Sequence, residues 1–350
     1  MLKESLLRSY LKKFSRSFYI TLVILPRRIF QPIAVAYLLA RIADTITDTL
    51  SSVPFNKKRD FLLSFKDQID NENLNEAFNN KFKNFLIELE KYPVQKKLVN
   101  FIPNLFPYYL SLNRYELDHV KAIVNKLING MEKDLILFKS NDLNKVVTLD
   151  TFHDFDLYTY NVAGCVGEFW TEISLKKEKE ISPVNYQKMI VFAIQFGKAL
   201  QITNIIRDIK NDYAMDRCYI PNQLFSMFDL EPKDLIQGKL SNSAQKLLGY
   251  LIEINLKNYS YAIEYFLLIP KTKFRLRLAC LIPILIGLKT IKKISSNKNF
   301  KNFVDHSSVK ISRISVYIII INAFLIVISR RFSKSYLYST IDQVRSILNK

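Results

Sequence analysis

Two short stretches hold the side chains of this sequence best suited to chemistry. In ARIADTITDT (residues 40–49), Arg41, Asp44 and Asp48 stand three and four residues apart. In QITNIIRDIKND (201–212), Gln201, Asn204, Asp208 and Asp212 follow offsets of three, four and four. On a helix such offsets place each set on one face. The surroundings are apolar: QPIAVAYLLA leads into the first stretch, while Leu200, Ile202, Ile205, Ile206 and Ile209 fill most of the second. Each set is therefore a narrow polar seam on an otherwise greasy helix, not the broad polar side of a surface helix.

Buried carboxylates without partners are very costly, so arginines, protons or cations must neutralise them. Arg41 and Arg207 cannot satisfy four aspartates and also leave a functional opening. Oxygen-only ligands from two helices, with no His or Cys nearby, suit Mg²⁺, which keeps waters and shares phosphate oxygens with a substrate. Carboxylates, Mg²⁺ and arginines together can stabilise a departing diphosphate. The plainer alternative is a pair of helix-surface ion-pair sets. Either seam alone fits that alternative; two seams, each embedded in apolar helix, fit it poorly.

The elements that must position these seams are helices. Of 350 residues, 49% are apolar and 13% aromatic, but only 7 are glycine, about 2% against a usual 7%. Few glycines, few hairpin dipeptides and many helix-period apolar runs point to an all-α chain. Helices are predicted at about 2–14, 27–50, 57–70, 79–91, 94–102, 113–139, 151–174, 184–212, 242–268, 273–293 and 308–329. Most prolines fall at segment ends; Pro32 and Pro283 lie inside apolar helical stretches, where Pro283 is a candidate kink. With no repeat and no linker legible, residues 1–350 are expected to form a single helical domain.

The net charge of +19, from 51 basic and 32 acidic side chains, suits anionic lipid or phosphorylated small molecules. It also fits a merely solvated basic surface. No nucleic-acid-binding motif appears, so nucleic acid is not an expected partner. Cys165, Cys218 and Cys280 lack paired spacing and are expected to be reduced core residues. His119, His153 and His306 are too scattered for a zinc site. The start, MLKESLLRSYLKKFSRSF, is basic and amphipathic without a signal-peptide pattern. The most lipid-like run, ISVYIIIINAFLIVI (314–328), is shorter than the roughly 20 residues of a spanning helix. Core is the slightly favoured expectation for it, ahead of membrane contact through its basic flanks.

The motifs resemble, in order and over most of the chain, the squalene/phytoene synthase family of head-to-head prenyltransferases. SRSF (15–18) looks like its N-terminal substrate segment, and ARIADTITD like its first aspartate motif. YTYNVAGCVGEF (158–169) resembles its Tyr-x-x-x-Val-Ala-Gly segment. LQITNIIRDIKNDYAMDRCYIP (200–221) resembles its second aspartate motif with the following Arg and Tyr-x-Pro. The resemblance implies a single-domain helical bundle around a central apolar cavity, in which Asp44, Asp48, Asn204, Asp208 and Asp212 hold Mg²⁺. It implies that Ser15, Arg16, Ser17, Arg41, Gln201, Arg207 and Arg217 contact diphosphate or hold neighbours in place, and that Tyr158 works beside the reacting carbons. Gly164 and Gly167 would permit a close approach of helix or substrate.

The activity so implied is Mg²⁺-dependent joining of two farnesyl diphosphates, through presqualene diphosphate, to squalene, with NADPH as reductant. Phytoene, dehydrosqualene or presqualene diphosphate synthesis without reduction are the alternatives. SRSF, DTITD and QITNIIRD are spelled like squalene synthases, bacterial ones especially, whereas INGMEKDL (128–135) is closer to the phytoene side. No nicotinamide-binding motif is legible. A non-catalytic membrane-associated assembly protein of the same fold is the reading from another class. A monomer, cytoplasmic and peripheral at the inner face of a membrane, with a short C-terminal anchor as an option, completes the expectation.

Overall fold

A computed structural model of the chain describes residues 4–15, 18–48, 53–138, 146–176, 178–236, 240–296 and 312–349. The architecture is all-α; among the described residues the only strands are β1 (Val147–Thr148) and β2 (Arg217–Cys218), two residues each and parallel. The chain divides into two compact units, 1–139 with 172–176, and 140–171 with 177–350.

In the first unit run α1 (Glu4–Phe14), α2 (Phe18–Val23), α3 (Arg27–Asp48), α4 (Phe55–Asp70), α5 (Glu76–Glu88), α6 (Pro93–Val99), α7 (Ile102–Leu110) and α8 (Arg114–Leu137). Helix α3 is its centre, packed on α8, α7 and α4. Phe61 of α4 stacks on Phe85 of α5 with ring centroids 4.1 Å apart, and Arg59 reaches Glu132 of α8 at 2.8 Å. Pro32 lies inside α3, and Pro107 inside α7. The helix expected at 94–102 is α6 and ends at Val99, and an unexpected helix, α7, follows it, because Pro103 suits the first turn of a new helix, where its missing N–H costs nothing.

The second unit holds α9 (Phe152–Thr159), a π-helical turn (Tyr160–Gly164), α10 (Cys165–Leu175, whose last residues count with the first unit), α11 (Pro183–Tyr213), α12 (Asn222–Met227), α13 (Asn242–Leu268), α14 (Phe274–Ser295), α15 (Arg313–Ile326) and α16 (Arg330–Leu348). The packing of α11 on α13 is its main contact, and α14 lies against both. Helix α14 continues through Pro283. Helix starts follow the sequence: side-chain oxygens of Asn75, Asn113, Thr151, Ser182, Ser241, Ser312 and Ser329 each accept the backbone N–H three residues on, satisfying one of the orphan donors of a first turn.

Cys165, Cys218 and Cys280 are all buried, and none forms a disulfide. By length and composition, Arg27–Thr47 and Pro183–Tyr213 could cross a bilayer, but 72% and 50% of their most apolar windows are buried inside the protein. Helix α15 departs from the expectation of core. Ile319, Ala323 and Ile326 are buried against the bundle, while Ile314, Tyr317, Ile318, Ile321, Phe324 and Leu325 are exposed. A helix apolar all round cannot bury both sides against α14 and α16 alone.

Candidate active site

In the first unit, α3 carries the first seam over its last two turns. Ile42, Ala43, Thr45, Ile46 and Thr47 are buried, so Asp44 is a half-buried carboxylate in an apolar surround. Arg41 pairs with it through Nη1, one turn back. The Arg41 Nε is buried and has no hydrogen-bond partner among the described residues, an orphan donor of the kind a ligand oxygen satisfies. Thr47 Oγ1 donates to the Asp44 carbonyl at 3.0 Å, holding the turn that leads to Asp48, the last residue of α3. Ser15 is buried, and its hydroxyl donates to the Leu11 carbonyl at 2.5 Å. It therefore holds the end of α1, which is the neighbour-holding role among the two expected of it. Arg16 and Ser17 lie outside the described residues.

In the second unit, α11 carries the second seam. Gln201, Asn204, Arg207, Asp208 and Asp212 are half-buried, and Ile202, Ile205, Ile206 and Ile209 are buried beside them. Arg207 grips Asp208 with both prongs, Nε to Oδ1 at 2.9 Å and Nη2 to Oδ2, the planar fork that suits carboxylate and phosphate alike. Gln201 Nε2 lies 3.4 Å from the Tyr158 hydroxyl, to which it donates. The Tyr158 ring stacks on Tyr219, centroids 4.6 Å apart.

Tyr219 is placed by the turn that follows α11. Asp216 takes a left-handed φ of 58°, which reverses the chain so that Arg217–Cys218 pairs with Val147–Thr148. Asp212 lies close enough to Cys218 to add to the upward push that burial gives the thiol, to about 12. The crevice beside Asp212, lined also by Ile209, Cys218 and Tyr219, holds about 10 Å³, room for no more than one water.

Behind the seam, a buried polar network fixes α11. Thr203 Oγ1 lies 2.8 Å from the Tyr259 hydroxyl and accepts from Asn255 Nδ2 at 2.9 Å. Beside it, Lys198 is almost fully buried and its Nζ reaches Asp156 at 2.6 Å, while the Tyr160 hydroxyl donates to Glu168 at 2.7 Å. The sequence reading missed Lys198, Asp156, Thr203, Tyr259 and Asn255. Lys198 had a legible signal, a lone cation on the apolar helix FAIQFGKALQI (192–202).

The glycines of this region serve packing. A Cβ on Gly167 would fall 2.0 Å from the Ala193 carbonyl oxygen, and one on Gly197 would fall 2.2 Å from that of Ala163. The π turn and the start of α10 thus lie directly on the α11 backbone.

Each seam, taken by itself, offers oxygens that suit a hard divalent cation: carboxylate on α3, and carboxylate and amide on α11, on helix faces where burial raises the cost of unneutralised charge. Among the described residues no group of three or more His, Cys, Asp and Glu is gathered; Asp44 and Asp208 stand paired with arginines.

The chain was compared with known proteins. The squalene/phytoene synthase family model matches residues 11–315. The bifunctional lycopene cyclase/phytoene synthase of Gibberella fujikuroi is 29% identical over 255 residues, 72% of this chain and 41% of that one. The squalene synthase of Candida albicans is 27% identical over 326 residues, 89% and 65% of the two chains. This chain thus spans about 40 to 65% of the length of these relatives. Among solved structures, TcSQS in a ligand complex matches with a TM-score of 0.74 at 20% identity, covering 99% of this chain and 96% of that one. A dehydrosqualene synthase matches at 0.61 and 21% identity, with 96% of each chain covered, which extends the likeness of fold. With its ordered motifs and a family match over most of its length, the chain belongs to the squalene/phytoene synthase family.

Proposed function

We propose that this chain is a Mg²⁺-dependent prenyltransferase that joins two farnesyl diphosphates head to head, through presqualene diphosphate, to squalene. The observation that carries the reading is the α11 seam, where an arginine-gripped Asp208 shares a helix face with Asn204 and Asp212, and Gln201 reaches Tyr158. Asp44 and Asp48 on one helix, with Asn204, Asp208 and Asp212 on the other, are the Mg²⁺ ligands in this reading. Mg²⁺, when bound, neutralises diphosphate charge and makes it a better leaving group.

Arg41, Arg207 and Arg217 donate to the diphosphate oxygens as the allylic C–O bond breaks and its electron pair leaves with the diphosphate. The double bond of the second substrate then attacks the allylic cation, and a proton is lost as the cyclopropane closes. In this reading Tyr158, held by Gln201 and by stacking on Tyr219, steadies the cation through its ring. Such cations require apolar walls that exclude water, which would quench them.

NADPH, if bound, would supply the hydride that separates squalene from its unreduced relatives. Among the described residues no Gly-rich turn opens a helix in the manner of a dinucleotide site, and the reading gives NADPH no residue of this chain. A second reading, synthesis of phytoene, dehydrosqualene or presqualene diphosphate without reduction, is favoured by the match to a phytoene synthase and by INGMEKDL. The working site of the protein in either reading is the cytoplasmic surface of a membrane, where prenyl products dissolve.

The test is product analysis. Purified protein is incubated with farnesyl or geranylgeranyl diphosphate and Mg²⁺, with and without NADPH, and the lipid is extracted. Squalene formed only with NADPH supports the first reading, and a C40 polyene the second. No diphosphate release from either substrate would leave the non-catalytic assembly role.

A further inference from the structure

The exposed side of α15 has a composition that water does not favour. Ile314, Tyr317, Ile318, Ile321, Phe324, Leu325 and Ile328 follow steps of three and four residues or lie next to one another, which places them in one stripe. Ile314, Ile321, Leu325 and Ile328 are 73, 63, 64 and 69% exposed. The stripe continues into α16 at Phe332 and Tyr336, and is joined by Phe274 of α14, which meets Phe324 ring to ring at 6.2 Å. Contiguous exposed apolar surface of this kind marks an interaction site.

The surrounding charge says what covers it. Between Glu264 and Asp342 the sequence has fourteen Lys and Arg and one acidic residue, Asp305, which lies outside the described residues. Arg330, Arg331 and Lys334 are exposed at the C-terminal end of the stripe. Behind α15, between α14 and α16, a cavity of about 470 Å³ is lined by Lys289, Lys292 and Lys293 together with the hydroxyls of Ser312, Ser315 and Thr340. Lys292 is held there by Gln343 at 2.5 Å. Cations and hydroxyls around a cavity suit a phosphate-bearing headgroup, and an apolar helix beside it suits acyl chains. The described helix is 14 residues, about 21 Å long, too short to span but long enough to lie in an interface.

We infer that α15 is an interfacial helix that lays its Ile314–Ile328 stripe into an anionic bilayer, with a phospholipid headgroup taken into the Lys289/Lys292/Lys293 cavity behind it. The inference deepens the membrane-peripheral part of the functional reading and is independent of prenyl transfer.

Vesicle sedimentation of the full chain tests it, with phosphatidylcholine vesicles made with and without phosphatidylglycerol. The chain pellets with the anionic vesicles, and binding weakens in high salt. Ile321→Glu with Leu325→Glu lowers partitioning at least ~10-fold, without moving the thermal midpoint, because both side chains already face outward. Ile318→Gln is a milder second variant of the same face. Lys289→Gln, Lys292→Gln and Lys293→Gln together reduce the preference for anionic over neutral vesicles by ~10-fold or more. Inorganic phosphate, compared with chloride at equal ionic strength, does not release the bound protein. Four outcomes would each overturn the inference: no vesicle binding by the wild type, binding indifferent to the face variants, release by inorganic phosphate, or a dimer in solution that Ile321→Glu dissociates. Diphosphate release in detergent, followed in parallel, separates failure of the catalytic reading from failure of this one.

Discussion

Gly197 lies so close to Ala163 that a methyl group added to it would fall 2.2 Å from the Ala163 carbonyl oxygen. That distance is far inside van der Waals contact, so the segment carrying Tyr158 to Gly167 and the helix carrying Gln201 to Asp212 are held backbone to backbone. The hydrogen bond between Gln201 and Tyr158 depends on that approach.

Gly197→Ala is expected to destabilise the protein by about 1–3 kcal/mol, the cost of overpacking a tight contact. Gly249→Ala, inside α13 with nothing within 4 Å of the added carbon, is expected to stabilise by about 0.5–1 kcal/mol through helix propensity. Thermal midpoints of the two variants should move in opposite directions. A shift of the same sign in both would remove the close approach as the cause.

The Lys198–Asp156 pair is asymmetric: Lys198 is buried while the Asp156 side chain is 56% exposed. Asp156→Ala strands a buried ammonium and should cost about 1–3 kcal/mol, a range lowered because Asp156 is half in water. Lys198→Met leaves only an exposed carboxylate and should cost less, within about 1 kcal/mol. Chemical denaturation curves of the two variants measure the order, and the reverse order contradicts it.

Asp44→Asn and Asp208→Asn each remove charge from a proposed metal ligand without changing volume. Diphosphate release should fall by about 10²-fold or more in each, with the circular dichroism spectrum unchanged. Turnover like that of the wild type in either variant would exclude the aspartates as the metal site.

Burial pushes the Cys280 thiol up to about 12 from its ordinary 9.0, and burial also raises the Tyr265 phenol above its ordinary 10.0. The unfolded chain therefore loses these protons first as pH rises. Between pH 9 and 12 it binds fewer protons than the folded chain, so stability falls with rising pH across that window. The fall is about 1.4 kcal/mol per pH unit for each such thiol. Denaturant midpoints at pH 8 and pH 10 measure it. At pH 8 the three buried cysteines should react with a thiol reagent only after unfolding.

Much of the fold was legible because helices announce themselves locally. The seams at 41–48 and 201–212 were read as helix faces from their spacing alone, and both lie on long helices with buried flanks. Helix α16 was not read, although Leu337, Ile341 and Val344 recur at helical steps and are its buried face. Its polar composition hid a stripe that packing against α13 and α14 makes worth burying. Helix α7 was missed because Pro103 and Pro107 read as breaks, whereas Pro103 sits where a helix tolerates it and Pro107 is carried inside α7.

By itself the sequence determined which residues share a helix face and the all-α class, since each follows from local spacing and residue chemistry, while its motifs carried the resemblance to the family. Tertiary packing decided that Gly167 and Gly197 serve a backbone contact, that the Ser15 hydroxyl turns inward to Leu11, and that α15 keeps an apolar side in the open. Those outcomes depend on which distant segment arrives opposite each residue, and one-dimensional periodicity does not encode the arrival.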